Sequence, residues 1–208
     1  LISGKCDTCK KSYMLKDGAC VDPGLKVTEQ TTPLNEYSDV IYLDRHGVTC
    51  TEGALNQFKF VTKENATDGK KWQYEYKCVE DIPGFSLGTE KITSKVATAA
   101  NKSTDYLTKD ELNVDCEDSP ITHIKLNRPD GDSGKTIAYK YKCATNKVNK
   151  STCKSKKSIG VSDVADHRAI LNNHVKCDGE GVITQFQLKK ETGDKGKYYY
   201  DYKCCDMY

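Results

Sequence analysis

Cys50-Thr-Glu-Gly-Ala-Leu-Asn-Gln-Phe-Lys-Phe60, followed after a polar loop by Trp72-Gln-Tyr-Glu-Tyr-Lys-Cys78, is the first of three copies of one block. The second copy runs from Cys116 to Leu126 and from Ile137 to Cys143, and the third from Cys177 to Leu188 and from Tyr198 to Cys204. The opening cysteine recurs after 66 and then 61 residues, and the two cysteines of each block lie 28, 27 and 27 residues apart. Such a period predicts a repeat architecture built from one recurring supersecondary unit.

Both segments of the block have the periodicity of strands. In the closing segment, apolar and aromatic residues alternate with polar ones, which is typical of a half-buried strand. These residues are Trp72, Tyr74 and Tyr76; Ile137, Tyr139 and Tyr141; and Tyr198, Tyr200 and Tyr202. In the central segment, the apolar residues are spaced by three and then by two, which indicates a β-bulge in every copy. They are Leu55, Phe58 and Phe60; Ile121, Ile124 and Leu126; and Ile183, Phe186 and Leu188.

These patterns predict an all-β chain of three tandem repeats that span residues 36–84, 103–147 and 162–208 within one domain over 25–208. Each repeat is expected to hold a lead-in strand, a central strand, a polar loop and a closing strand, in three or four antiparallel strands. We expect a pseudo-threefold arrangement, either a β-prism or a trefoil-like barrel, with a linear array as the alternative. Helix is expected only in the polar connectors, at Ala165–Asn172, and the basic run Lys154–Lys157 is interpreted as a solvated loop.

Eleven cysteines in 208 residues predict disulfides, and therefore a secreted protein. The simplest pairing joins the two cysteines of each block and leaves one further pair: Cys50–Cys78, Cys116–Cys143, Cys177–Cys204 and Cys153–Cys205. Each block's crosslink would contribute roughly 3–4 kcal/mol in the chain-entropy model. Three cysteines, Cys6, Cys9 and Cys20, remain. One of them is expected to stay free or to bond to another molecule.

Residues 1–24 form a separate cysteine-rich segment that ends at the turn Val21-Asp-Pro-Gly24. Its pattern, Cys6-Asp-Thr-Cys9 followed by Asp17-Gly-Ala-Cys20, resembles part of an EGF-like or growth-factor-receptor-like repeat. The alternative is a zinc site, although three cysteines without a nearby histidine make a poor tetrahedral set.

Composition excludes several classes of protein. The net charge of +2 comes from 32 basic and 30 acidic residues, whereas a nucleic-acid-binding protein shows a clustered basic surplus. No apolar run approaches the roughly 20 residues of a membrane helix, so we expect no membrane insertion. Three Asn-x-Ser/Thr sequons, at Asn65, Asn101 and Asn149, lie in predicted polar loops and connectors, where a glycan is tolerated.

The third repeat resembles a dermatopontin repeat. The resemblance rests on Cys177, on Gly181-Val-Ile-x-x-Phe186 and on the aromatic strand Tyr200-Asp-Tyr202 that ends in Cys204-Cys205, and it extends to the other two repeats. It implies a secreted matrix or adhesion protein, some invertebrate members of the family being similar to lectins or cell-aggregation factors. The family's closing strand carries Asp-Arg-x-Trp-x-Phe, but here tyrosine replaces the tryptophan and no copy has the arginine.

Few residues suggest chemistry. The histidines are His46, His123, His167 and His174, and the first and last lie four and three residues before their cysteines, which predicts a surface or strand role. Asp130 and Asp132 are a weak candidate for calcium, with a solvated turn as the simpler interpretation. No nucleophile elbow, zinc-protease motif or phosphate loop is present. The sequence therefore predicts no enzyme, no cofactor and no other metal site.

The resulting hypothesis is a secreted, non-enzymatic structural or adhesion glycoprotein that self-associates in an extracellular matrix or filament. The unpaired cysteine or an exposed strand edge would link neighbouring copies. The alternative is a carbohydrate-binding lectin or agglutinin, because threefold repetition suits multivalent binding of glycans. The aromatic periodicity nevertheless favours a core role for the tyrosines over sugar stacking.

Overall fold

The two segments of each block form a hairpin of long antiparallel strands, which confirms the all-β class. The computed structural model describes residues 14–16, 19–21, 24–36, 40–63, 71–98, 104–130, 136–160, 170–171, 173–192 and 196–208. The strands are β1 (Met14–Lys16), β2 (Ala19–Val21), β3 (Lys26–Thr31), β4 (Asn35–Glu36), β5 (Gly47–Thr49), β6 (Gly53–Lys63), β7 (Lys71–Glu80), β8 (Leu87–Ile92), β9 (Val96–Ala97), β10 (Val114–Asp115), β11 (Ile121–Asn127), β12 (Thr136–Ala144), β13 (Asn149–Lys157), β14 (Val175–Lys176), β15 (Val182–Lys190) and β16 (Tyr198–Asp206). The 3₁₀ helices with described bounds are η1 (Val40–Arg45), η2 (Thr104–Thr108) and η3 (Asp110–Leu112).

Each hairpin belongs to its own sheet. The first sheet has the order β14-β6-β7-β3, with β4 also pairing β7; the second has β5-β11-β12-β8, with β9 also pairing β12; the third has β10-β15-β16-β13. The central strands are β6, β11 and β15, and the closing strands are β7, β12 and β16. A separate hairpin joins β1 to β2 in the N-terminal segment.

The connectors supply strands, which corrects the interpretation of the basic run Lys154–Lys157 as a loop. The segments after Cys78 and Cys143 form β8 and β13, which pair with the closing strands β12 and β16. The basic run Lys154–Lys157 therefore lies in an exposed strand and not in a loop. The helix expected at Ala165–Asn172 falls almost entirely outside the described residues. Edge strands carry polar residues on both faces, so their sequences lack the periodicity that marks a half-buried strand.

The lead-in segments correct a second expectation. In the first two repeats a 3₁₀ helix precedes a short strand, and in all three repeats the short strand joins the sheet of another repeat. β5 of the first repeat pairs with β11 of the second, β10 of the second pairs with β15 of the third, and β14 of the third pairs with β6 of the first. Each sheet therefore contains one short strand from another repeat. The first repeat contributes its strand to the second, the second to the third and the third to the first.

The predicted bulge occurs in all three central strands. The register with the closing strand shifts at Asn56, Thr122 and Thr184, each of which is buried. The main-chain oxygen of each bulge residue accepts a hydrogen bond from the amide of a cysteine in another repeat. The donors are Cys177 to Asn56 at 3.0 Å, Cys50 to Thr122 at 2.8 Å and Cys116 to Thr184 at 2.9 Å. The bulge thus directs a carbonyl oxygen of the central strand toward the lead-in segment that another repeat contributes to the sheet.

The core lies between the three sheets and is largely aromatic. The ring of Phe58 lies 5.2 Å from that of Phe186 and 5.4 Å from that of Tyr200, and Phe186 lies 5.7 Å from Tyr139, in edge-to-face contacts that link all three repeats. Burial raises the pKa of the Tyr139 hydroxyl and that of Tyr200 well above the usual value. The tyrosines of the closing strands are therefore core residues, as their periodicity predicts.

Four disulfides crosslink the described strands. They are Cys50–Cys78, Cys116–Cys143, Cys177–Cys204 and Cys153–Cys205, the pairs that the spacing predicts. The first three join the start of a repeat to its closing strand, and the last ties β13 to β16. Cys20 is also disulfide-bonded, whereas Cys6 and Cys9 lie outside the described residues. The prediction that one cysteine stays unpaired within the chain remains a prediction.

Candidate ligand-binding faces

Each sheet has a polar face directed away from the core, and register places equivalent residues on all three. Two positions of the central strand, just after the bulge, face two positions of the closing strand. The cross-strand pairs are Gln57–Lys77 and Lys59–Glu75 in the first sheet, His123–Lys142 and Lys125–Lys140 in the second, and Gln185–Lys203 and Gln187–Asp201 in the third. One lysine recurs in every sheet, as Lys77, Lys142 and Lys203. The other three positions differ in charge between the sheets.

The first face holds a groove of about 530 Å³. Its lining residues are Glu29, Gln30, Thr31, Gln57, Lys59, Glu75, Tyr76, Lys77 and His174. Lys59 and Glu75 form an ion pair at 2.9 Å, and Lys77 pairs with Glu29. The Tyr76 hydroxyl donates to Gln30 Oε1 at 2.9 Å and lies 3.3 Å from the Thr49 carbonyl oxygen. The groove therefore combines paired charges with amide and hydroxyl groups, a set suited to hydroxyl-bearing ligands.

His174 enters this groove from the lead-in segment of the third repeat. Burial lowers the pKa of its imidazole, and the positive charges of Lys59, Lys176 and Lys77 lower it further. The side chain is therefore neutral at neutral pH. Its Nε2 atom is buried and has no hydrogen-bond partner among the described residues. A neutral imidazole can donate or accept one hydrogen bond at a ligand hydroxyl.

The second face is dominated by cations. His123, Lys125, Lys140 and Lys142 occupy adjacent positions of β11 and β12, and the neighbouring strand β8 adds Glu90. His123 Nδ1 lies 2.8 Å from Thr49 Oγ1, and Lys140 Nζ lies 3.4 Å from Glu90 Oε1. Burial lowers the pKa of His123, and the lysine charges of this face lower it further, led by Lys142.

The third face is the most nearly balanced in charge, because its four positions hold one lysine, one aspartate and two glutamines. A hollow of about 100 Å³ is lined by Ser155, Gln185, Gln187, Asp201, Tyr202 and Lys203. The Gln187 amide donates to Asp110 Oδ1 at 3.0 Å and to the Lys109 carbonyl oxygen at 3.2 Å. This amide is thus bound to the lead-in segment of the second repeat and takes part in packing.

His46 is not equivalent to His174, which corrects the sequence interpretation. The His46 ring is 1 % exposed and its Nδ1 atom lies 2.7 Å from the buried Thr32 hydroxyl. In the third repeat the equivalent role belongs to Asn173, whose amide oxygen accepts from the Ser158 hydroxyl. His46 therefore belongs to the core, whereas His174 faces a ligand-sized groove. His167 lies outside the described residues.

The other predicted sites are only partly described. Asp130 accepts a hydrogen bond from the Thr136 hydroxyl and lies 3.4 Å from Lys95 Nζ, and both contacts hold its pKa below the usual range. Asp132 and the sequon residues Asn65 and Asn101 lie outside the described ranges. Asn149 is exposed at the start of β13, where its side-chain oxygen accepts from the Ser151 hydroxyl at 2.7 Å.

The described part of the chain contains neither a clustered set of metal ligands nor a membrane-spanning helix. No group of three or more histidine, cysteine, aspartate or glutamate side chains there is arranged to hold a metal ion. None of its helices has the length and hydropathy needed to cross a bilayer.

The sequence patterns did not predict the polar faces. The charged residues that form them alternate with core residues, so each one resembles an ordinary solvent-facing position when its strand is considered alone. When the three copies are aligned at the bulge, Lys140 is equivalent to Glu75 and Asp201. This difference in charge is the signal in the sequence that points to the second face.

The chain matched no protein-family model, no curated protein and no solved structure. The resemblance to dermatopontin repeats, and that of the N-terminal segment to EGF-like repeats, therefore stay predictions.

Proposed function

We propose that this protein is a secreted, non-enzymatic structural or adhesion glycoprotein that associates with further copies of itself in an extracellular matrix or filament. Four disulfides among the described cysteines support an oxidising compartment. The cyclic exchange of lead-in strands supports a pseudo-threefold arrangement of the three sheets, of the β-prism kind. A rigid, crosslinked body of this type is suited to bearing binding faces rather than to catalysis.

The observation that carries self-association is the edge strand β8. Within the described residues, β3, β8 and β13 each end a sheet and pair on one side only. β13 carries Lys150, Lys154, Lys156 and Lys157, and lysines of this kind protect an edge against pairing. β3 exposes one aliphatic side chain, Val27 at 39 %, whereas β8 exposes two, Leu87 at 47 % and Ile92 at 51 %. β8 is therefore the edge best suited to accept a strand from a second copy.

The native mass of the purified protein tests self-association. We expect light scattering to report a species of at least twice the polypeptide mass of 23.2 kDa, more than a glycosylated monomer would have, and a gel with and without reductant to show whether disulfides link the copies. Leu87→Lys combined with Ile92→Lys should reduce the mass to that of a monomer if β8 mediates the contact. Ile159→Lys is the matched control, because Ile159 is 87 % exposed but lies outside the edge strand. A wild-type monomer at all concentrations would contradict the proposal.

The groove of the first face supports a second candidate function, carbohydrate binding. Its volume of about 530 Å³ lies in the range of small-ligand sites, and its amide, hydroxyl, carboxylate and imidazole groups match the hydrogen-bonding needs of a saccharide. Glycan-array binding that is lost in Glu75→Ala would support this function. Loss of binding on addition of EDTA would implicate calcium at Asp130 and Asp132. Equal binding by wild type and Glu75→Ala would exclude the groove.

A further inference from the structure

The second sheet contains an arrangement that costs stability and that its two sister sheets avoid. Lys125 of β11 lies directly opposite Lys140 of β12. Like charges at directly opposite positions of an antiparallel pair destabilise a sheet. The equivalent pairs are Lys59–Glu75, which forms an ion pair at 2.9 Å, and Gln187–Asp201. The core does not require this lysine, since the same position holds an acid in both other repeats.

Among the described residues, too few acids surround these lysines to neutralise them. Glu90 is opposite Lys142 in register but lies 3.4 Å from the ammonium group of Lys140, so three lysines of the face share one carboxylate. His123 stands opposite Lys142 and adds a group that becomes cationic at acidic pH. Beside Lys140 on β8, Ile92 is 51 % exposed. The face thus combines excess positive charge with an exposed apolar side chain.

We propose that the outer face of the second sheet binds an acidic polysaccharide that carries sulfate or carboxylate groups. Neighbouring strands lie about 4.8 Å apart, and alternate residues of one strand about 7 Å apart, so the lysines form a small, regular array. A thin, extended polymer with periodic anionic groups can follow such an array, and Ile92 offers a contact for the apolar side of a sugar ring. A nucleic acid duplex requires a wider basic footprint than two strands provide.

This inference rests on the proposed extracellular role and names the partner of that role. It does not require strand pairing at β8, because its lysines lie on β11 and β12; Ile92 is the side chain that the two surfaces share. The two proposals can therefore fail independently.

Binding of the full chain to immobilised heparin, a sulfated polysaccharide, and to alginate, a carboxylated one, tests the inference. Lys140→Glu introduces the acid that the first repeat has at this position and should lower the affinity about tenfold, the factor that 1.4 kcal/mol produces. The variant is expected to fold, because it recreates the Lys59–Glu75 pairing of the first sheet. Lys154→Glu is the matched control: it makes the same change of charge at an exposed lysine of β13, outside the candidate faces, and should leave the affinity unchanged.

Several results would overturn the inference. Equal losses in Lys140→Glu and Lys154→Glu would mean diffuse charge attraction, and binding of poly-glutamate or duplex DNA as tight as that of heparin would mean a different class of partner. Failure of the wild type to bind either polysaccharide at low salt would also exclude it. The native mass of Lys140→Glu, measured alongside, reports on self-association alone and so separates failure of this inference from failure of the proposed function.

The pH dependence of binding gives an independent readout. His123 faces Lys125, Lys140 and Lys142 of its own sheet, with Glu90 on β8 and the uncharged Thr49 on β5. A bound polyanion favours the protonated imidazole, so the affinity should increase as the pH falls below the ordinary histidine pKa of about 6.5. His123→Gln, which introduces the residue found at positions 57 and 185, should remove that increase and retain binding at neutral pH. An unchanged pH profile in His123→Gln would show that His123 does not contact the ligand.

Discussion

A buried hydroxyl at the end of each outer strand holds the closing strand in place. Thr32, Thr93 and Ser158 accept hydrogen bonds from the amides of Tyr74, Tyr139 and Tyr200 at 2.9, 2.9 and 2.7 Å. The hydroxyl is satisfied differently in each repeat: it meets His46 in the first and Asn173 in the third, and in the second it donates to the Ser94 carbonyl oxygen. His46 is thus one of three different groups that contact this hydroxyl. Its imidazole must remain neutral because it is buried.

The burial of His46 makes stability depend on pH. Burial, aided by the positive charge of Arg45 and opposed by Asp44, lowers the pKa of His46 to about 4. The unfolded chain therefore binds a proton at a higher pH than the folded one. The stability is fully present above the unfolded pKa of about 6.5 and is lost as the pH falls toward 4, by at most about 3 kcal/mol. His46→Asn, which introduces the residue of the third repeat, should flatten the free energy of unfolding over this window.

Urea denaturation at several pH values between 7 and 4 measures the effect. His123→Gln serves as the comparison: burial also lowers the pKa of that imidazole, so this variant should flatten the profile less than His46→Asn does. If His46→Asn and wild type lose stability equally, His46 is not the titrating group.

At the scale of elements, the bulges connect the repeats. Asn56 differs from the other two bulge residues because its side-chain amide donates to the Gly181 carbonyl oxygen at 2.7 Å and to that of Gly179 at 3.1 Å. Its main-chain oxygen also accepts from Cys177. One residue of the first repeat therefore holds the turn that follows the opening cysteine of the third repeat.

Asn56→Ala should lower the free energy of unfolding by about 1–3 kcal/mol, because the buried carbonyl oxygen of Gly181 loses its donor. Chemical denaturation gives this value directly. Thr184→Val is the control: its hydroxyl makes a weak contact with Cys205 Sγ at 3.7 Å, so a smaller loss is expected. Equal losses in the two variants would show that the Asn56 amide adds nothing beyond filling space.

The outer strand β13 depends on its disulfide. β13 pairs with β16 at Asn149 and again over Lys154–Lys157, with an irregular stretch between, and Cys153–Cys205 bridges that stretch. Replacing Cys153 and Cys205 with alanine should cost roughly 4 kcal/mol in the chain-entropy model and should free the start of the strand. Trypsin should then cleave at Lys150 and Lys154 faster than in wild type. Replacing Cys50 and Cys78 should not accelerate these cleavages, and equal acceleration would contradict a local role for Cys153–Cys205.

At the scale of the whole molecule, the exchange of lead-in strands makes the repeats interdependent. Val48, Val114 and Val175 are buried opposite Ile124, Phe186 and Phe58 of another repeat. The lead-in helices add ion pairs between repeats, such as Arg128 with Asp44 at 2.6 Å and Lys190 with Asp105 at 3.0 Å. Removing one repeat would leave the central strand of one neighbour without its outer partner and the lead-in strand of the other neighbour unpaired, and would expose apolar surface on both.

Unfolding should therefore be a single cooperative transition. The calorimetric enthalpy is expected to equal the van't Hoff enthalpy, and tyrosine fluorescence and far-ultraviolet circular dichroism should report the same midpoint. Asn56→Ala should move the entire transition to lower temperature without dividing it. Separate transitions in the wild type would show that the repeats behave as independent units.

Local patterns were sufficient to predict the hairpins, their bulges and the pairing of the described cysteines outside the N-terminal segment. Alternating tyrosines such as Tyr74 and Tyr76 mark a strand because only one of its faces is buried, and the spacing of Phe58 and Phe60 marks the extra residue of the bulge. The cysteine pairing followed from repetition, because equivalent positions in homologous units make equivalent bonds.

The partners of β5, β10 and β14 were not predictable, because a strand of two or three residues carries no signal for the sheet that it joins. β8 and β13 were missed because edge strands are polar on both faces. The candidate faces depend on register between separate strands. Lys125 and Lys140 become neighbours only through the hairpin, and Glu90 reaches them from the connector that follows the first repeat. Periodicity is a property of one strand, whereas a binding face is a property of several strands, and their order in the sheet results from long-range packing.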